Sequence, residues 1–136
     1  MRSFPNPEHW LAHRVSYGET DTMGVVYHAE YLHLFERGRN AYLRQAGIPY
    51  KEVEARGFFS PVRQASCRYR QPIRYDDLVW IRTGISLWGR LSFTFIYEIH
   101  DEERKLLHAT GSTELAMINK EGRPVPVPAW FREFFP

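Results

Sequence analysis

The chain has 136 residues and a single cysteine, Cys67, so it forms no internal disulfide and offers no cysteine-based metal site. Cys67 sits in an alternating stretch, the setting of a buried or half-buried core thiol rather than of a nucleophile. Long hydrophobic runs are also missing. No segment approaches the ~18 apolar residues of a membrane span. The opening "MRSFPNPEHW" carries no apolar run of signal-peptide length, so the expectation is a cytoplasmic chain with no integral membrane segment. An excess of one charge is absent too: 18 Lys and Arg face 16 Asp and Glu, a formal net charge of +2. That balance argues against nucleic acid as a partner, which calls for a clearly basic face, and leaves room for an anionic small ligand held by a few arginines. The sequence has no Gly-rich phosphate loop, no "HExxH" zinc motif and no "GxSxG" nucleophile elbow.

What is present is an ordinary globular mixture, 43% hydrophobic and 25% charged, enough for one domain over residues 1–136 with a single sizeable core. No repeat or linker divides it. Residues 9–17 read as a first strand. From Val25 to about Ala46, Tyr27, Tyr31, Leu34, Phe35, Gly38, Tyr42 and Ala46 recur every three or four positions, which predicts an amphipathic helix ending at Gly47 and Pro49. At ~1.5 Å per residue that rod would run roughly 33 Å. A short second helix is expected in "GIPYKEVEARG". The period then changes to two. A strand over about Phe59 to Arg70 comes first, followed by faces formed by Val79, Ile81, Thr83, Ile85 and Leu87, then Leu91 to Ile99, then Leu107 to Met117. One helix lying on one face of such a sheet leaves the other face to water or to a second subunit, and Trp80, Trp88 and Phe95 point to a homo-oligomer. The proline-rich tail ends in "AWFREFF", read as a short apolar turn packing back on the body, with a membrane contact as the alternative.

The stretch "YGETDTMGVVYHAEYLHLFERGR" sets two carboxylates, Glu19 and Asp21, before a glycine and the helix. Gly24 allows a sharp bend and close approach of a substrate. The free N–H groups of the first helical turn, around Val26 to His28, carry the positive end of the helix dipole and are ready donors for a carbonyl oxygen or oxyanion. A carboxylate beside such donors is the arrangement of a hydrolase. The competing reading is that Asp21 or Thr22 caps the helix. Glu19 falls on the other side of an extended segment, where a supporting or surface role is expected. His28 is either a polar residue at a helix start or a group beside the oxyanion site. It lies five residues from His33, the wrong spacing for two metal ligands on one helical face.

The same stretch resembles the signature of the hotdog-fold thioesterases of the 4-hydroxybenzoyl-CoA thioesterase group, including its Tol-Pal-associated branch. The matching residues are Tyr17, Glu19-Thr20-Asp21, Gly24-Val25-Val26-Tyr27-His28, Tyr31 and Phe35-Glu36, and "GFFSPV", "YRQPIRYDDLV" and "PVPVP" look similar too. The resemblance implies an α+β hotdog fold, an antiparallel sheet of about five strands wrapped around one long central helix, assembled as a homodimer or homotetramer. It implies that Asp21 is the catalytic carboxylate and that the backbone N–H at or near His28 holds the thioester oxygen. Gly24, Val25, Tyr27 and Tyr31 would meet the substrate, as would Phe59 to Val62. Arg90 and Ser92, near the hairpin "WGRLSF", would meet coenzyme A, which is part of the substrate and not a cofactor. No metal or other cofactor is implied. The expected function is hydrolysis of acyl-CoA or aryl-CoA thioesters. The alternatives are the same chemistry on acyl carrier protein and a non-catalytic acyl-CoA-binding hotdog protein. A dehydratase is disfavoured because no "HFPG"-like segment occurs.

Overall fold

The computed structural model describes residues 3–136. The period-two segments become strands β1 Glu8–Arg14, β2 Val62–Tyr69, β3 Leu78–Trp88, β4 Ser92–Asp101 and β5 Leu107–Ala116. They form one five-stranded sheet in the order β1-β3-β4-β5-β2, with every neighbouring pair antiparallel. Helix α1, Glu30–Ala46, packs its Tyr31, Leu34, Phe35, Gly38 and Tyr42 face on the sheet. Helices α2, Tyr50–Ala55, and α3, Ala129–Arg132, are short. Gly47 ends α1 in the left-handed conformation at φ +100°, as its sequence position predicts.

The alternation sorts each strand into two faces. Val79, Ile81, Thr83 and Ile85 of β3, with Phe93, Phe95, Tyr97 and Ile99 of β4, are buried on the helix side. Two glycines set how near the helix comes. A Cβ on Gly38 would stand 2.6 Å from Thr83 Oγ1, and one on Gly111 would intrude on the Phe35 ring and lie 2.8 Å from Ser66 O. The Phe35 ring instead lies flat on Tyr97, with centroids 4.4 Å apart and planes 9° off parallel. Close packing of this kind, rather than helix propensity, fixes the position of α1.

Several expectations need correction. The helix begins at Glu30, not Val25, because Val25 and Val26 are drawn into bridges with Arg74 and Thr20, and β-branched residues suit that extended state. The first strand stops at Arg14 and β2 is confined to Val62–Tyr69. Leu87 is 63% exposed instead of facing the core, because a register shift between Ile85 and Leu87 turns it outward.

The apolar surplus expected on the far face is also not found among the described residues. Phe95 is fully buried on the helix side, and Trp88 packs against Phe93, Phe131 and Phe135. Trp80 is covered by the Arg104 guanidinium, which lies 4.3 Å from its ring and 4.0 Å from that of Trp10. Beside it Arg82 stacks on Phe4 at 4.1 Å and pairs with Glu8 at 2.6 Å and Glu98 at 3.0 Å. The tail packs inward: Phe131 and Phe135 are buried core residues, leaving the membrane alternative without its apolar surface. Among the described residues no helix is long and apolar enough to cross a membrane.

Candidate active site

The loop between β1 and α1 is held from beneath by Glu19. A 3₁₀ turn, Tyr17–Glu19, brings that side chain inward, where it is only 7% exposed. Its carboxylate accepts from the Ser16 amide at 2.7 Å and from His13 Nε2 at 3.0 Å to each oxygen. Because a carboxylate only accepts, Nε2 carries the proton. The Glu19 carbonyl in turn accepts from the Tyr27 amide at 2.9 Å. Burial alone would push the Glu19 carboxyl up, but the Ser16 amide and His13 outweigh it and hold the group below its usual range. A depressed carboxylate stabilises the fold above its unfolded pKa of about 4.5, and that contribution is lost as the pH falls through the lower folded value. Unfolding midpoints of the wild type and Glu19→Gln should therefore differ most near neutral pH and converge on acidification. A gap that stays constant down to about pH 3 would remove this role.

Asp21 stands on the other side of this loop, half-buried. Its Oδ1 accepts from the Met23 amide at 2.8 Å and, at 3.5 Å, from that of Val25. Its backbone N–H donates to the Val25 carbonyl at 2.9 Å and its carbonyl accepts from Gly24 at 3.1 Å. Gly24 closes this turn at φ +79°, with open space where a Cβ would be. No bond within the described residues occupies Oδ2. The capping reading is overturned: the residue preceding α1 is Ala29, and no side chain caps the helix.

The oxyanion expectation narrows to one peptide. The Val26 N–H donates to Ile73 O at 2.7 Å and the Tyr27 N–H to Glu19 O, so neither is free. Among the described residues no carbonyl takes the His28 N–H. That N–H belongs to the Tyr27–His28 peptide, whose carbonyl accepts from the Glu30 amide at 2.9 Å, and the following peptide is held by the Tyr69 hydroxyl, which donates to His28 O at 2.7 Å. Asp21, His28, Tyr31 and Tyr69 share a cleft of about 290 Å³ with Arg70. Tyr31 is buried and meets Tyr69 edge-on at 4.7 Å. Tyr27 is nearly half exposed, its ring against that of His28. The site thus presents a carboxylate with one unoccupied oxygen, an unpaired amide at a helix start and an arginine at the rim, the parts needed to activate and polarise a carbonyl.

Not every expected residue converges here. Arg90 and Ser92 lie at the far end of the sheet, where Arg90 O accepts from the Val127 amide at 2.8 Å and Ser92 Oγ donates to Glu114 at 3.4 Å. Ser60 to Val62 line a different cavity. His33 faces Glu30 at 3.3 Å. Tyr69 and Arg70 were not among the expected site residues, although "YRQP" was already part of the resemblance. Their contribution depends on β2 ending beside the helix start, where the Arg70 and Gln71 amides both donate to His108 O. Cys67 is half-buried with its thiol pushed up by burial, consistent with a packing role.

Residues 15–135 match the model of the thioesterase-like superfamily. The acyl-CoA thioester hydrolase YbgC of Escherichia coli is 36% identical over 95 residues, 70% of this chain and 71% of that protein. The solved DHNA-CoA thioesterase of Staphylococcus aureus superposes with a TM-score of 0.86 at 33% identity, covering 93% of this chain and 85% of that one. A protein of Aquifex aeolicus of known structure gives a TM-score of 0.89 at 30% identity, covering 94% of this chain and 99% of the other. The chain belongs to the thioesterase-like superfamily and is a hotdog-fold hydrolase.

Proposed function

We propose that the protein hydrolyses acyl-CoA or aryl-CoA thioesters to the free acid and coenzyme A, with Asp21 as the catalytic carboxylate. The observation that carries this is the pairing, in one cleft, of Asp21, one oxygen unoccupied, with the uncapped amide of His28. The thioester oxygen accepts from that N–H, and the negative charge that develops on it in the tetrahedral intermediate is stabilised by the donor and the helix dipole behind it. Asp21 acts at the carbonyl carbon in one of two ways. As nucleophile it forms a mixed anhydride, expels the thiolate and is released by water. As general base it takes the proton of a water whose oxygen attacks. Either route ends in carboxylate and free thiol. His28 contributes its backbone, and its ring borders the acyl group with Tyr31; Val25 lines the cleft, and Gly24 closes the turn that carries Asp21.

The working unit is proposed to be a homodimer or homotetramer built on β2. This is an edge strand, paired only with β5, and all of it except Cys67 is exposed, an open template for a second strand. Antiparallel pairing of β2 with its own copy about a two-fold axis sets the Tyr69 end of one copy beside the Val62 end of the other. The hairpin carrying Arg90 and Ser92 lies at that Val62 end, since Leu115 pairs with both Val62 and Phe93. Those two residues would then reach coenzyme A bound at the partner's cleft.

The test is release of free thiol from acetyl-, butyryl-, decanoyl- and benzoyl-CoA, beside the same acyl groups on acyl carrier protein. Turnover of one or more CoA thioesters is expected. Turnover of none would refute the reading, and turnover of the carrier-linked set alone would replace its substrate. Arg70, exposed at the cleft rim, is expected to contact an anionic part of coenzyme A. Arg70→Gln should raise KM by about fivefold, the worth of one exposed charged contact, with kcat little changed. An equal KM in steady-state kinetics would exclude Arg70 from binding.

A further inference from the structure

The Asp21 cleft is shallow, yet a second cavity of about 360 Å³ lies between α1, α2 and the β4–β5 end of the sheet. Its mouth is formed by the exposed residues Glu36, Asn40, Pro61 and Val62. Its floor is apolar: Leu43, Val53, Phe93, Phe95, Leu115 and Phe131, all buried. Along its wall the Ser60 amide donates to Tyr50 Oη at 2.9 Å and the Ser60 hydroxyl to Met117 Sδ at 3.6 Å, and the half-buried Arg39 donates to Tyr97 Oη at 3.5 Å. Its apolar floor gains from an apolar occupant, while Arg39 and the polar residues stay toward the wall and mouth. An apolar cavity of ~150 Å³ accommodates one benzene ring, so this volume has room for an acyl group of about ten carbons.

We infer that this cavity receives an unbranched acyl chain of about eight to twelve carbons, and that Phe131 of α3 sets the chain length by closing its inner end. The inference rests on the thioesterase reading and the β2-paired dimer. Within one protomer the mouth lies at the Val62 end of β2 and the Asp21 cleft at the Tyr69 end, on the order of 20 Å apart. In the antiparallel pair, one copy's mouth comes beside the other copy's cleft, so a thioester held at Asp21 feeds its chain into the neighbouring subunit. Phe131 is 1% exposed and is wedged among Phe93, Trp88 and Phe135 at 5.3–6.1 Å between centroids. Its position depends on α3 docking, so the C-terminal aromatic segment is a specificity element as well as part of the core.

The experiment compares kcat/KM across C4 to C16 acyl-CoAs for wild type, Phe131→Leu and Asn40→Phe, each checked for its unfolding transition. A parallel titration with sodium decanoate follows the fluorescence of Trp88 and Trp130, which both contact Phe131. Phe131→Leu should raise the dodecanoyl-to-octanoyl ratio about tenfold, and Asn40→Phe, filling the mouth, should lower the decanoyl-to-butyryl ratio by about tenfold or more, the scale of one methylene in a fitted pocket. Decanoate should give a saturable fluorescence change that Asn40→Phe abolishes. Ratios unchanged in both folded variants, or benzoyl-CoA turned over faster than every C8–C12 substrate, would overturn the inference and leave the thioesterase reading standing. If wild type hydrolyses no thioester, that reading fails, and the decanoate titration alone decides whether the cavity holds an acyl chain.

Discussion

Asp21→Asn is expected to lose at least about 100-fold in kcat on acyl-CoA substrates, the size of effect that removal of a principal acid–base or nucleophilic group produces. The substitution is nearly isosteric. Asn retains an oxygen to accept from the Met23 amide, now at 2.8 Å from Oδ1, so the turn and Gly24 should keep their places. What disappears is the negative charge and the basicity of the unoccupied oxygen. Unfolding and oligomeric state should therefore match those of the wild type while turnover collapses, and substrate should still bind. Equal turnover by the two proteins would remove Asp21 from the chemistry and leave its half-buried side chain as a turn residue only.

The largest stability effect is expected at the contact between Phe35 and Gly111. Phe35 is fully buried, and its truncation in Phe35→Ala should cost about 3–5 kcal/mol. Gly111→Ala attacks the same contact from the sheet side. The new methyl group would overlap the Phe35 ring, which is pinned by its stack on Tyr97, and would crowd Ser66 O. Overpacking of this kind costs about 1–3 kcal/mol. Because the first change removes the ring that the second one strikes, the double variant should be more stable than the sum of the single losses requires, by about 1 kcal/mol or more. Denaturant melts of the four proteins measure this. Strict additivity would mean that α1 is not seated by that notch.

Much of this architecture is legible in the chain because period-two and period-3.6 patterns report local geometry directly. The inward rows of β3, β4 and β5 follow from alternation alone. Alternation fails at Leu87 because a one-residue bulge reverses the faces, and nothing in "GISLWG" marks it. The start of α1 departs from the periodic pattern for a similar reason. Tyr27 continues the apolar stripe of α1 backward, but the backbone of Val25, Val26 and Tyr27 is claimed by Arg74, Ile73 and Glu19, two of which are distant in sequence. That tertiary override does more than shorten the helix. It consumes two of the expected oxyanion donors and leaves that of His28. Asp21 was legible through its motif. The opposite wall, Tyr69 and Arg70, was not, because only the pairing of β2 with β5 brings it to the helix start. Glu19, read as a supporting or surface residue, is buried because His13 and Ser16 give its charge a full set of partners.

Where a thioester sits is tested most directly by a crystal structure of the Asp21→Asn protein with bound decanoyl-CoA. The carbonyl oxygen is expected within hydrogen-bond distance, about 3 Å, of the His28 N–H, with the carbonyl carbon about 3–3.5 Å from the residue 21 side chain or from a water held by it. A thioester bound with its carbonyl away from both groups would contradict the account.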